Sequence, residues 1–198
     1  MAWDGQGHLE HGRGGTFTIA RQILAGDIPY RDAVDQRTPL APYFQAAVFA
    51  LAGPANTTAQ HLALVLLIGL SAIMLWQLAR RMREEGTGIA ASFWFSLLCM
   101  VLPTVRDTMP AHTSWYLIFF STAGFYALIR AWNSPRPWWA SASGIAFGLS
   151  VLAKQPGVLD YGVALVLLIL RWLIVPEDRR KIFRLLGLLL AGLALPLA

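Results

Sequence analysis

From residue 59 to the end, the sequence is a series of apolar runs interrupted by short polar breaks. The runs cover roughly 59–79, 88–105, 112–131, 138–153, 157–175 and 182–198. A helix needs about 20 mostly apolar residues to cross a bilayer. The pattern therefore predicts an all-α integral membrane fold with about six transmembrane helices. The fourth run, WWASASGIAFGLSVLA, is short and rich in small residues. Gly144 and Gly148 form a GxxxG pair in it, which either admits a close helix neighbour or is a chance pairing in a glycine-rich helix. Upstream the pattern changes. Residues 16–25, TFTIARQILA, put Phe17, Ala20, Ile23 and Leu24 on one helical face and Arg21 and Gln22 on the other, with Gly26 as a natural stop. This is the pattern of a short amphipathic helix lying at a membrane surface. Residues 43–52, YFQAAVFALA, are too few to cross and read as a second interfacial helix or the shallow start of a span. Between them lies GDIPYRDAVDQRTPLAPY, where Pro29, Pro39 and Pro42 fix φ and remove backbone donors, so that no long helix runs through it.

Composition sharpens the class. Hydrophobic residues make up 56% of the chain and charged residues only 14%, against about 25% charged in soluble domains. The mean hydropathy is +0.52. The sixteen Lys and Arg are spread over several breaks rather than gathered in one stripe, which argues against a nucleic-acid partner. A single cysteine, Cys99, excludes an intrachain disulfide.

The charges orient the spans. Arg80, Arg81 and Arg83 lie in the break 80–88, and Arg130 and Arg136 in 130–137. The break 171–184 holds Arg171, Arg179, Arg180, Lys181 and Arg184. The alternate breaks carry only Arg106 and Lys154. By the positive-inside rule the first group is cytoplasmic and the second faces out. The chain then divides into residues 1–58, an outer-face loop with amphipathic helices, and residues 59–198, a multi-span transmembrane domain in the plasma (inner) membrane. An outer segment ahead of the first span, and a last run that reaches the terminus, are expected of a piece truncated at its C-terminus and lacking a preceding first span.

Chemistry gathers on the outer face. It holds Asp4, His8, Glu10 and His11, then the proline-rich strip with Tyr30, Arg31, Asp32, Asp35 and Arg37, then Arg106, Asp107 and His112, and finally Lys154 and Asp160. Ionisable groups near membrane depth mark a site, a pathway or mutual pairs. A carboxylate can take a proton from an acceptor hydroxyl, while Arg and Lys can neutralise a phosphate leaving group. The plainer alternatives stay open. Asp32 and Asp35 can pair with Arg31 and Arg37 to stiffen a loop, Arg106 can pair with Asp107, Lys154 can snorkel to the headgroups, and Asp160 needs a partner such as Lys154. His8, Glu10 and His11 do not have a recognised metal-ligand spacing.

The stretch ARQILAGDIPYRDAVDQRTPLAPYFQAAVFALAG resembles the first outer loop of the GT-C membrane glycosyltransferases, a superfamily that includes the protein O-mannosyltransferases and the lipid A aminoarabinose transferase. The matching residues are Leu24, Gly26, Pro29, Tyr30, Asp32, Asp35, Gln36, Pro39 and Gly53. GLSVLAKQPG resembles the outer end of a later helix in these enzymes, where a lysine recurs. The resemblance implies a hexosyl- or pentosyltransferase that moves a sugar from a polyprenyl-phosphate donor to a glycan, lipid or protein acceptor on the outer face. It fixes no cofactor and leaves a divalent metal open. The family's acidic pair, counted back from Gly26, falls near Gly12 and Arg13; Glu10 is the nearest acid and Asp4 the next, so these two are the catalytic candidates. Tyr30, Arg31, Asp32, Asp35, Arg37, Arg106 and Lys154 are the substrate-binding candidates. Two other classes compete, a transporter or flippase module and a non-catalytic or decayed membrane fragment. A transporter should carry ionisable groups near mid-membrane or paired broken helices, whereas here the charges sit at run ends.

Overall fold

In the computed structural model, residues 14–28, 38–53, 56–82, 85–105, 113–134 and 136–198 are described. Each apolar run becomes a helix. The order is α1 (Gly14–Ala25), α2 (Leu40–Ala52), α3 (Thr57–Met82), α4 (Glu85–Val105), α5 (Thr113–Asn133), α6 (Trp138–Ala153), α7 (Gly157–Ile174) and α8 (Arg179–Leu197), with a 3-10 turn at Pro176–Asp178 ahead of α8. Among the described residues there is no strand.

The helix ends follow local chemistry. Gly26 takes φ +99°. Its N–H donates to the Ile23 carbonyl at 3.1 Å, and the Asp27 N–H donates to the Gln22 carbonyl at 3.0 Å, the paired bonds that close a helix through a left-handed glycine. Pro39 precedes α2, and Pro42 lies in its first turn, where no intrahelical donor is lost. α1 and α2 pack on each other through Phe17, Ala20 and Ile23 against Ala46 and Phe49, with the Phe17 and Phe49 ring centroids 5.7 Å apart. Leu24, expected on this apolar face, is exposed, and Ile19 is buried.

Two helices, Thr58–Arg81 and Gly157–Ile174, are long and apolar enough to cross a membrane. Their large side chains point outward: Leu62, Val65, Leu66 and Leu70 on α3, and Val158, Leu159, Val163, Val166 and Leu167 on α7. A surface of that kind belongs in lipid rather than water. The other predicted runs are shorter or more mixed. α6 has 16 residues, the apolar part of α4 covers Gly86–Cys99, α5 carries Ser, Thr and Tyr along its length, and α8 opens on Arg179, Arg180 and Lys181.

α6 is the central element. It packs most extensively on α8 and α5 and also touches α7 and α2, while α3 links α5 to α4. The α6–α8 contact is one of backbone on backbone. A Cβ added at Gly144 would overlap the Leu189 carbonyl, one at Gly192 would overlap the Ser141 carbonyl, and one at Gly148 would overlap the Pro196 ring. The GxxxG pair is therefore a packing surface, matched by a glycine on the partner helix. On the other side of α6, Phe147 is fully buried and lies where a Cβ on Gly124 of α5 would stand, 2.8 Å from its ring. Leu128, Ala164, Leu168, Ile182 and Leu189 complete this core. Buried hydroxyls are satisfied inside it: Ser143 donates to the Gly124 carbonyl at 2.8 Å and Ser150 to the Phe147 carbonyl at 2.8 Å.

The two ends of the bundle differ. At one end every cation–π contact among the described residues is found: Arg80 on Trp76, Arg130 on Tyr126 and Trp139, Arg171 and Lys181 on Trp132, and Arg179 on Trp172. Such a belt of Trp, Tyr, Arg and Lys is the signature of a membrane–water interface. At the opposite end, α2 packs against α3, α5 and α6 through Ala41, Leu67, Tyr116 and Ala153.

Gly187, on the same helix as Gly192, has nothing within 4 Å of an added Cβ, and this sets up an internal control. Gly144→Ala and Gly192→Ala are each expected to cost about 1–3 kcal/mol, the usual range for overpacking. Gly187→Ala is expected to be neutral or to gain up to about 1 kcal/mol from helix propensity. Thermal unfolding of the three variants in detergent checks the ordering.

Candidate functional site

The candidate site lies at the end of the bundle away from the cation–π belt, and the corner between α6 and α7 organises it. The sequence LAKQPG makes that corner tight. α6 ends at Ala153, Lys154 turns extended with φ −164° and ψ 139°, and Pro156 leads directly into α7. The Lys154 N–H donates to the Ser150 carbonyl at 3.0 Å, and the Gly157 N–H donates back to the Lys154 carbonyl at 2.9 Å. Gly157 sits so close to the Ser150 backbone that an added Cβ would come within 2.6 Å of it. The corner thus holds the Lys154 backbone rigidly, and its side chain is half-buried.

Lys154 Nζ donates to Ser114 Oγ at 2.9 Å, joining the end of α6 to the start of α5. One residue earlier, the Ala153 carbonyl accepts from Thr38 Oγ1 at 2.6 Å. This bond ties the proline-rich strip, across more than a hundred residues of sequence, to the position beside the lysine. Further along α2, the Gln45 side-chain amide donates to the Tyr116 hydroxyl at 2.9 Å in a fully buried contact. The Phe44 ring lies 4.9 Å from that of Tyr116, and Gln45 Oε1 is buried with no hydrogen-bond partner among the described residues. On the far side of the corner, Ser121 Oγ donates to Asp160 Oδ2 at 2.5 Å, linking α5 to α7.

The sequence suggested Lys154 as the partner of Asp160, but the two are separately engaged, Lys154 by Ser114 and Asp160 by Ser121. Among the described residues no carboxylate pairs with Lys154. Its ammonium is held in place by a neutral hydroxyl, so its charge is left to act on something else. A half-buried, positioned cation suits a phosphate oxygen, because its field is less screened there than in bulk water.

Of the catalytic and substrate-binding candidates, Lys154 alone falls among the described residues. Asp4, Glu10, Tyr30, Arg31, Asp32, Asp35, Arg37 and Arg106 lie outside them, as do His8 and His11. The structure adds Thr38, Gln45, Ser114 and Tyr116 to this end of the bundle. The available signal for Gln45 was its isolation as the one strongly polar side chain of YFQAAVFALA. Ser114 and Tyr116 were signalled by their place at the polar start of a run, in the first turn after His112.

No curated protein matches the chain, and no solved structure does. A family model described as dolichyl-phosphate-mannose-protein mannosyltransferase matches residues 36–198. The match begins after Leu24, Gly26, Pro29, Tyr30, Asp32 and Asp35 and takes in Gln36, Pro39, Gly53 and the Lys154 corner. With most of its length matched, and with an all-helical fold whose apolar faces point outward, this chain belongs to the dolichyl-phosphate-mannose-protein mannosyltransferase family, a family of glycosyltransferases.

Proposed function

We propose that the chain transfers a sugar from a polyprenyl-phosphate donor to a hydroxyl of a glycan, lipid or protein acceptor at the end of the bundle that carries Lys154. In this reading α3 to α8 all cross the plasma (inner) membrane, and the Lys154 end faces out. The family match supports the class of reaction. The ten cations of the breaks 80–88, 130–137 and 171–184 support the orientation. The observation that carries the choice of site is the half-buried Lys154, inside the matched stretch, with no carboxylate partner among the described residues.

The acceptor oxygen attacks the anomeric carbon of the sugar. The bond from that carbon to the phosphate oxygen breaks, and the lipid phosphate leaves with the bonding pair. The acceptor proton passes to a carboxylate, for which Glu10, then Asp4, is the candidate. Lys154, with Arg106 as its proposed companion, neutralises the charge that gathers on the departing phosphate, where a fixed cation acts most strongly. Ser114 positions the Lys154 ammonium without touching substrate. Tyr30, Arg31, Asp32, Asp35 and Arg37 are proposed to line or brace the sugar cavity. Thr38, bonded beside Lys154, is the point from which that strip extends.

Lys154→Gln is expected to lower transfer on the order of 10²-fold, as the loss of one positioned electrostatic group does, with the melting temperature retained and Lys154→Arg recovering part of the rate. Steady-state kinetics with a lipid-phosphate sugar donor measure this; a Lys154→Gln enzyme as fast as the parent would leave the lysine a headgroup anchor.

For the base, Glu10→Gln is expected to slow transfer by about 10²–10⁴-fold and to flatten the acidic limb of the pH–rate profile. If Glu10→Gln and Asp4→Asn are both silent, neither carboxylate is the base.

Orientation has its own check. In a Cys99→Ser background, Gln155→Cys should react with a membrane-impermeant thiol reagent in intact cells, and Gly86→Cys should react only after lysis. The reverse labelling would invert the topology and remove the outer-face assignment.

A further inference from the structure

At the belt end of the bundle, opposite Lys154, a cavity of about 480 Å³ opens between the α5–α6 connection and the first turns of α8. Trp132 and Arg136 line it from one side; Lys181, Arg184, Leu185 and Leu188 line it from the other. Its volume lies within the usual range for small-ligand sites, roughly 300–1,000 Å³.

Three cations thus border one hollow. Among the described residues none of them pairs with a carboxylate. The ion pair at this end is Arg171–Asp178, at 2.9 Å, and the other nearby acid, Glu177, is exposed. Lys181 is held at the cavity: its Nζ donates to the Trp132 carbonyl at 2.6 Å and lies 5.1 Å from the centre of the Trp132 ring. The guanidinium groups of Arg136 and Arg184 make no hydrogen bond within the described structure and are exposed. Like charges around a common space repel, and an anion placed between them turns that repulsion into attraction. Two of the three cations are arginines, whose planar forks match phosphate oxygens. The inner wall is apolar, with Leu185 buried and Leu188 partly so. Trp138, next to the lining residue Pro137, is exposed. A polar mouth over an apolar wall at an aromatic belt suits a group whose phosphate sits at the interface while its remainder lies in the membrane.

We infer that this cavity binds a phosphate group, carried either by an anionic lipid headgroup or by a soluble phosphate compound. It lies at the other end of α6 from Lys154 and is independent of the proposed transfer site. The test is native mass spectrometry of the purified full chain in detergent, titrated separately with phosphatidylglycerol, phosphatidylcholine and inorganic phosphate. The parent should retain phosphatidylglycerol in preference to zwitterionic phosphatidylcholine. Each lost cation near a membrane surface weakens anionic-lipid binding about fivefold, so Arg136→Gln combined with Arg184→Gln should weaken it roughly 25-fold. Among the described residues those two side chains hold no hydrogen bond, so the melting temperature should stay at the parent value. Arg80→Gln combined with Arg81→Gln, at the same end but away from the cavity, should leave binding unchanged. Retention of inorganic phosphate with the same sensitivity to Arg136 and Arg184, and no preference between the two lipids, would assign the site to a soluble phosphate compound. Equal retention by the parent and the Arg136/Arg184 variant, or equal loss in the Arg80/Arg81 variant, overturns the site, as does failure of the parent to bind any of the three probes.

Discussion

Where α6 crosses α8, the backbones of the two helices meet directly at Gly144 and Gly192, and much of the remaining arrangement follows from that contact. Gly144 faces Leu189 and Leu193, Gly192 faces Ser141, and Gly148 faces Pro196. Between two helices in lipid there is little hydrophobic drive, because the acyl chains are as apolar as leucine; association relies on close fit and on dispersion summed over many atoms. Glycine allows that fit by removing the Cβ that would hold the axes apart. With α8 seated on one face, α6 turns Phe147 toward Gly124 of α5 and aligns its own C-terminus with the start of α5. Lys154 meets Ser114 as a consequence.

The polar groups obey the same solvent logic in reverse of a water-soluble core. Large apolar side chains cover the outside of α3 and α7. Serines and a glutamine sit inside, each spending its donor on a carbonyl, a carboxylate or a phenol: Ser143 on Gly124, Ser121 on Asp160, Gln45 on Tyr116. A polar group with no water available must find a partner within the protein. These bonds do more than satisfy donors. Thr38 to Ala153 and Gln45 to Tyr116 fasten α2 onto the bundle, which brings the chain just after the proline-rich strip to the Lys154 corner. In the proposed function, this fastened segment lies at the end of the bundle where the headgroup of a lipid-linked donor would be met. The opposite end, with its Trp and Arg contacts, is built for the interface itself.

The sequence alone determined where the helices lie. The apolar runs set six of them, the periodicity of TFTIARQILA set α1, and Gly26, Gly53 and the prolines marked ends, because length, repeat and backbone freedom are local properties. It also pointed to Lys154, since a cation at the end of an apolar run is conspicuous. Other matters were decided only by tertiary structure. Periodicity cannot say which helix a GxxxG pair will meet, and α8 answered with Gly192 and Pro196. Nor can spacing choose between Asp160 and Ser114 as the partner of Lys154. Asp160 is six positions away in sequence, but the tight Pro156–Gly157 turn leads it into α7, toward Ser121, while the packing of α5 on α6 delivers Ser114. Thr38 and Gln45 joined the candidate site for the same reason. Their partners lie far off in sequence, and a hydrogen bond acts over about 3 Å, a distance that only the folded chain sets.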